Sequence, residues 1–121
     1  MFKVLKTEGN YNNHIGLPLT LLKLKEHDIA VVEMGMNHFR EIAYLTDIAT
    51  PDVGIITNIG TMHMEHLGSQ EGILQAKLEI LEGMDADATA IFNGDDALLW
   101  NQRLVDGERI GFFGIRNGDC H

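Results

Sequence analysis

The sequence predicts an α/β fold in which a mainly parallel sheet of about five strands is covered by helices on both faces. Two observations carry this prediction. Strand-like and helix-like patterns alternate along the whole chain, and the strand-like stretches are nearly continuous apolar runs. Such alternation is typical of βαβ units, and continuous apolar strands are typical of a sheet that is buried on both sides.

The individual elements follow from glycine, proline and the hydrophobic period. The predicted strands span 2–7, 29–36, 53–60, 88–93 and 108–114. The predicted helices span 15–25, 38–49, 71–84 and 95–104. Pro18 is tolerated because it falls in the first turn of its helix, where the missing N–H has no intrahelical partner. The stretch Thr50-Pro51-Asp52 ends the second helix.

Composition excludes several classes of protein. The 121 residues carry a net charge of −9, with 18 acidic residues against nine Lys and Arg, which argues against a nucleic acid as the main partner. The apolar runs are too short to span a bilayer, so no membrane partner is expected. The single Cys120 leaves no intrachain disulfide and suits a cytoplasmic location.

Polar side chains follow each of the first four predicted strands, where parallel sheets bind their ligands. They are Thr7, Glu8, Asn10, Asn12 and Asn13; Glu33; Thr57, Asn58, His63, Glu65 and His66; and Asn93, Asp95 and Asp96. Simpler interpretations exist for many of them. The asparagines of EGNYNN are common turn residues, Asp95 or Asp96 can cap the next helix, and His66 suits a loop surface. Glu33 is harder to explain, because a carboxylate in a strand buried on both faces needs a partner or a metal.

Lys77 is the second unusual charge. On a helical wheel of residues 71–84 it lies at the centre of the apolar side, between Ile73 and Ile80, whereas Glu79 and Glu82 lie on the polar side. Its stem could lie on apolar surface while the amine reaches water. Alternatively, a desolvated lysine has a lowered pKa and can react with carbon dioxide. The resulting carbamate could join Glu33 and His63 around Mg²⁺ or Mn²⁺.

These residues resemble a known family. The strings KTEGNYNNHIGLPLTLL, VVEMGMNHFREIAYLTDIATPDVGIITNIGTMHMEHLGSQEGILQAKLEIL and IFNGDD are similar to the central ATPase domain of the Mur ligases, over nearly the whole chain. The resemblance implies a P-loop-NTPase-like domain of an ATP- and Mg²⁺-dependent amide ligase of peptidoglycan synthesis. Its implied substrates are a UDP-N-acetylmuramoyl-tripeptide, activated as an acyl phosphate, and D-alanyl-D-alanine, whose amine then attacks.

The resemblance also implies roles for individual residues. The family uses two Mg²⁺ ions: Glu33 matches the ligand of the one beside the γ-phosphate, and His63 matches a ligand of the second. Lys77 matches a lysine that becomes carbamylated. Among the remaining residues, Asn93 matches an asparagine that contacts adenine, and Asn58 is a second expected nucleotide-binding residue. The asparagines Asn10, Asn12 and Asn13 are expected by the reacting end of the substrate. His63 and Lys77 are therefore the expected catalytic residues.

The phosphate-binding loop of that family does not occur in residues 1–121, nor do its N-terminal UDP-binding domain and its C-terminal domain. We therefore expect a partial central domain that does not catalyse ligation alone, because a phosphate loop supplies the main anchor for ATP. We also expect self-association through uncovered apolar surface.

Other interpretations stay open. The folylpolyglutamate synthase family shares the ATP-ligase chemistry and a similar H…LG…K pattern, although EGNYNN and EMGMN favour the peptidoglycan enzymes. A non-catalytic α/β module that holds a metal or nucleotide at its polar rim is a second alternative. A soluble domain whose rim residues only cap helices and form turns is a third.

Overall fold

A computed structural model describes residues 1–117, so Cys120 lies outside the described residues. The strands are β1 (Val4–Lys6), β2 (Ile29–Val31), β3 (Val53–Ile56), β4 (Thr89–Asn93) and β5 (Ile110–Phe113). The helices are α1 (Gly16–Leu21), α2 (Glu41–Ala49), α3 (Met64–Leu67), α4 (Gln70–Leu78), α5 (Ala97–Trp100) and α6 (Arg103–Asp106), with a 3-10 helix at Glu79–Gly83. The α/β class, the five strands and their parallel pairing are confirmed.

The single continuous sheet is wrong for the described residues, because the strands form two sheets. β1 pairs with β2, while β3, β4 and β5 pair in that order. The predicted strand 29–36 forms a ladder only at Ile29–Val31. Beyond it, the backbone N–H groups of Glu33 and Gly35 donate to the Thr7 hydroxyl and to the Asn12 carbonyl, at 2.8 and 2.7 Å. Contacts with a loop thus replace the strand ladder there.

The core lies against one face of the three-stranded sheet. The parallel register places Gly54, Ala90 and Ile110 in one row of that face and Ile56, Phe92 and Phe112 in the next, and all six are buried. Helical residues that share the core with them include Leu45, Ile73 and Leu99. The opposite face is only partly covered, since Val53 and Ile55 are about half exposed. Helical cover of both faces is therefore incomplete for this sheet in residues 1–117.

In the structure, the helices are shorter than the stretches for which the apolar pattern predicts them. α2 begins at Glu41 because Arg40 before it takes a left-handed backbone conformation, with φ at 72°. α5 begins at Ala97 because Asp96, in extended conformation, accepts hydrogen bonds from the Leu98 and Leu99 N–H groups. This confirms the capping interpretation for Asp96. The loop 61–70 contains α3, which the sequence analysis did not predict.

The interface between α2 and the 3-10 helix is tight. The Thr46 hydroxyl, which is fully buried, donates to the Ile80 carbonyl at 3.1 Å. A methyl group placed on Gly83 would lie 2.6 Å from the Thr46 backbone, so only glycine fits at this approach. This interface packs the residues that directly follow α4 against α2. In residues 1–117, no helix combines the length and the apolar character needed to cross a bilayer.

Candidate functional site

The loops that follow β1 and β2 meet in a first polar cluster, formed by Thr7, Asn12, Glu33 and Gly35. The Asn12 side-chain amide donates to the Glu33 carboxylate at 3.2 Å, and its main-chain carbonyl accepts from the Gly35 N–H. The Thr7 hydroxyl accepts from the Glu33 N–H. Asn12 of EGNYNN and Glu33 of EMGMN are 21 residues apart in the sequence, and this contact brings the two segments together.

Glu33 does not have the environment that the sequence predicts. It lies beyond the end of β2 and is exposed, so the expectation of a carboxylate buried in a strand is wrong. The strand ends before Glu33 because its backbone bonds to Thr7 instead of to a neighbouring strand. An exposed carboxylate carries no large desolvation cost and is free to take an additional ligand.

The asparagines of EGNYNN have different surroundings. The Asn13 side-chain oxygen accepts from the Ile15 and Gly16 N–H groups, at 3.1 and 2.8 Å, and so holds the entry to α1. The Asn10 side chain is exposed, and the main-chain carbonyl of Asn10 accepts from the Asn12 N–H at 2.8 Å. Asn12 is the member of the trio that reaches Glu33. The turn interpretation therefore describes Asn10 and Asn13, while Asn12 contacts Glu33 across the first polar cluster.

A second polar cluster follows β3 and centres on Lys77 of α4. The Lys77 amine donates to the Asn58 carbonyl at 2.7 Å and, more weakly, to the Ile59 carbonyl at 3.4 Å. The Ile59 N–H in turn donates to Asp96 at 3.0 Å. Burial lowers the pKa of Lys77 below its ordinary value, and the negative charge of Asp96 partly opposes this shift. The amine is thus oriented by carbonyl oxygens instead of extending freely into water.

Asn93 and Asp95 complete this cluster at the end of β4. The Asn93 amide donates to the Thr57 carbonyl at 2.9 Å, while its oxygen accepts from the Asp95 N–H. The Asp95 carboxylate accepts from the N–H groups of residues 115, 116 and 117, at 2.7 to 3.1 Å. These three bonds lower the pKa of Asp95. The end of β4 is therefore connected both to the loop after β3 and to the segment after β5.

His63 starts α3 in a left-handed conformation, with φ at 67°, and its side chain is half-buried. Nearby, the rings of His38 and His66 lie 4.6 Å apart, and the His38 ring contacts Glu41 at 3.2 Å. Among residues 1–117, no three His, Cys, Asp or Glu side chains form a group that could hold a metal ion. Glu33 and His63 therefore do not form a closed metal cage with a third such ligand.

Glu79 is a buried carboxylate that the sequence pattern does not predict. The helical wheel places it on the polar side, yet it is only 7% exposed. Its carboxylate accepts from the Arg40 N–H, at 2.9 and 3.0 Å, and from the Ala43 N–H at 3.3 Å. Glu79 is buried because α2 packs against the 3-10 helix and its first N–H groups bind the carboxylate. A helical wheel does not indicate which other helix will cover its polar side.

Comparison with known proteins gives a consistent result. The family model for the Mur ligase middle domain matches residues 1–120. The chain is 54% identical over 101 residues to the UDP-N-acetylmuramoyl-tripeptide–D-alanyl-D-alanine ligase of Bacillus subtilis (strain 168), an alignment that covers 83% of this chain and 22% of the relative.

Two solved structures are similar in fold. A crystal structure of MurF from Acinetobacter baumannii matches 98% of this chain with a TM-score of 0.89 at 39% identity, over 26% of its own length. The MurF ligase from Thermotoga maritima, in complex with ADP, matches 98% with a TM-score of 0.85 at 36% identity, over 28% of its length. The chain thus spans about a quarter of the length of the relatives it matches.

Proposed function

The chain belongs to the Mur ligase family, as its middle domain, and on that premise we propose that it is part of an ATP-dependent ligase that adds D-alanyl-D-alanine to a UDP-N-acetylmuramoyl-tripeptide. The observation that carries the proposal is the 54% identity with the Bacillus subtilis enzyme of that name. The ADP complex of the Thermotoga maritima relative supports ATP as the nucleotide. The chain is one part of the proposed enzyme, which contains further domains.

The proposed reaction has two steps. The γ-phosphoryl group of ATP passes to the terminal carboxylate of the tripeptide, which gives an acyl phosphate and ADP. The dipeptide amine then forms a bond to the acyl carbon, phosphate leaves, and the amine loses a proton. Both steps develop negative charge on oxygen, so the site needs positive charge or N–H donors around the reacting atoms.

The donors of the rim suit a hard divalent cation. Carboxylate and carbonyl oxygens are the ligands that Mg²⁺ prefers, and Mg²⁺ is usually held by one or two carboxylates together with substrate phosphates instead of an all-protein cage. Glu33 is exposed and His63 is half-buried, so each side chain is open to a ligand. Bound Mg²⁺ would supply charge stabilisation for phosphoryl transfer. We propose that Glu33 binds one Mg²⁺ beside the γ-phosphate and that His63 binds a second Mg²⁺.

Lys77 is proposed to act as a carbamate. The neutral amine forms an N–C bond to carbon dioxide and releases a proton, which leaves a carboxylate on the side chain. The lowered pKa of Lys77 supports this, because it increases the neutral fraction of the amine. The carbamate keeps one N–H, which can still donate to the Asn58 carbonyl.

Three asparagine positions receive proposed binding roles. Asn93 would contact the adenine, since its amide has one further donor and its oxygen one further acceptor beyond the Thr57 and Asp95 contacts. Asn58 would contribute to the nucleotide side through its loop. Asn10 and Asn12 would lie by the reacting carboxylate of the substrate, whereas Asn13 would act indirectly by holding the loop at α1.

A phosphate-release assay tests the proposed function in the full-length enzyme that contains this chain. We expect release only when ATP, the UDP-linked tripeptide and D-alanyl-D-alanine are all present. Glu33→Gln and Lys77→Met should abolish it, while Lys23→Met, on the exposed part after α1, should leave it unchanged. Release with a folate and glutamate instead of the muramoyl substrate would contradict the proposal and favour a folylpolyglutamate synthase.

The isolated 121-residue chain is proposed to be inactive and to self-associate. Val53 and Ile55 of the edge strand β3, together with Val4, Ile29 and Val31 of the two-stranded sheet, are 42–59% exposed. Apolar edges of this kind favour pairing with another chain. Sedimentation of the purified chain should show a dimer or larger species at high concentration. A monomer at all concentrations, or ligation by the chain alone, would overturn this part.

A further inference from the structure

The end of α4 carries two charged side chains that bind two different loops. Lys77 donates to the carbonyls of Asn58 and Ile59, which follow β3. Glu79, two residues later, accepts from the backbone at the start of α2. One short stretch of chain therefore connects the loop before His63 with the segment that follows Glu33.

The contact made by Glu79 replaces a missing local cap. Arg40 precedes α2, and no side chain of its own neighbourhood caps the first N–H groups of that helix. Both Glu79 oxygens accept from the Arg40 N–H, and one also accepts from Ala43, 36 residues earlier in the sequence. A carboxylate is the group that best satisfies the N–H groups and the positive end of a helix.

Burial makes this contact specific. Glu79 is 7% exposed, so losing its N–H donors would leave a desolvated charge, which is costly. The separate ion pair between the Arg40 guanidinium and Glu82, at 2.8 Å for both bonds, is exposed and does not involve the backbone. Arg40 thus contacts two carboxylates. Its backbone N–H donates to the buried Glu79, and its guanidinium pairs with the exposed Glu82.

We propose that Glu79 is a positioning residue for Lys77. By binding the backbone at the start of α2, its carboxylate fixes the end of α4 and so holds the Lys77 amine against the Asn58 carbonyl. The catalytic importance of this positioning rests on the proposed function, in which Lys77 acts as a carbamate. The position and protection of the amine can be measured without any ligase activity, so the two proposals can fail separately.

Amine acetylation followed by mass spectrometry tests the inference on the 121-residue chain under native conditions. In Glu79→Gln, the acetylation rate of Lys77 relative to exposed Lys23 should rise about tenfold. Hydrogen exchange at the Arg40 and Ala43 amides should become faster in the same variant. Glu82→Gln, which removes only the exposed ion pair, should leave both readouts at the wild-type value.

A second control separates positioning from general loss of stability. Phe92→Leu weakens the fully buried core but keeps the Glu79 carboxylate and its N–H donors. It should leave Lys77 protection unchanged while lowering the unfolding midpoint. If Glu79→Gln does not fold, Glu79→Asp, whose shorter side chain cannot reach both amides, serves the same purpose. An unchanged Lys77 rate in the folded Glu79 variant, or an equal rise in Phe92→Leu, would overturn the inference.

Discussion

The side-chain amide of Asn12 lies 3.2 Å from the Glu33 carboxylate, and the Asn12 carbonyl lies 2.7 Å from the Gly35 N–H. One residue thus binds the second loop through both its side chain and its backbone. Because Glu33 is a proposed metal ligand, the position of its carboxylate depends on how Asn12 is packed. Gly35 sets that packing, since a methyl group there would lie 2.7 Å from the Asn12 amide nitrogen.

Gly35→Ala should therefore displace the Asn12 side chain and break its bond to Glu33. The backbone of Gly35 has no positive φ, so the cost comes from crowding alone. We expect a loss of about 1 kcal/mol in the free energy of unfolding. Urea denaturation of the wild type, Asn12→Ala, Gly35→Ala and the double variant measures this loss. In the Asn12→Ala background the cost of Gly35→Ala should nearly vanish; a fully additive cycle would contradict this explanation.

Arg40→Gly should give a more stable protein than Arg40→Ala, by about 1 kcal/mol in the free energy of unfolding. Both variants lose the exposed ion pair with Glu82, but only alanine keeps the strain of the left-handed backbone at φ 72°. Gln75, exposed within α4, is the matched control, because there alanine should be the more stable replacement. If alanine were the more stable replacement at Arg40 as well as at Gln75, the Arg40 backbone would carry no strain.

The stability of the chain should depend on Asp95 in a defined pH range. The N–H bonds to residues 115–117 lower its pKa below the ordinary 3.8, so its contribution is fully present above that pH and is lost as pH falls through the lower folded-state pKa. Asp95→Asn should be less stable than wild type near neutral pH. The difference should shrink in urea denaturation at progressively lower pH below 3.8. A constant difference across that range would contradict the prediction.

Much of the fold follows from the period and order of apolar residues. Ile56, Phe92 and Phe112 lie in continuous apolar runs, and these runs do become parallel strands that share one buried face. The division into two sheets does not follow in the same way. Whether Glu33 continues a strand or bonds to the Thr7 hydroxyl is decided by a contact 26 residues away, which no local pattern encodes.

The candidate site is predictable to a similar degree. Residues that end neighbouring strands of one sheet come together in each of the two clusters. The unusual position of Lys77 in an apolar stripe correctly indicates a half-buried amine with specific partners. Its partners are main-chain carbonyls, which carry no sequence signal. Glu79 could not be found, because its burial depends on α2, a distant helix without a local side-chain cap, whose first N–H groups bind the Glu79 carboxylate.

Asp96 should control the pKa of Lys77. Its negative charge opposes the effect of burial, so Asp96→Asn should lower that pKa further. The amide keeps one oxygen for the α5 cap but gives up the bond from the Ile59 N–H. The pH profile of Lys77 acetylation measures the shift: its midpoint, already below 10.5 in the wild type, should move to lower pH.

Since the unfolded chain binds more protons between the folded-state pKa of Lys77 and 10.5, the free energy of unfolding should also rise with pH over that window, and more so in Asp96→Asn. Asp47→Asn, on the exposed side of α2, is the control, and an equal shift in both variants would show that the effect of Asp96 is not local.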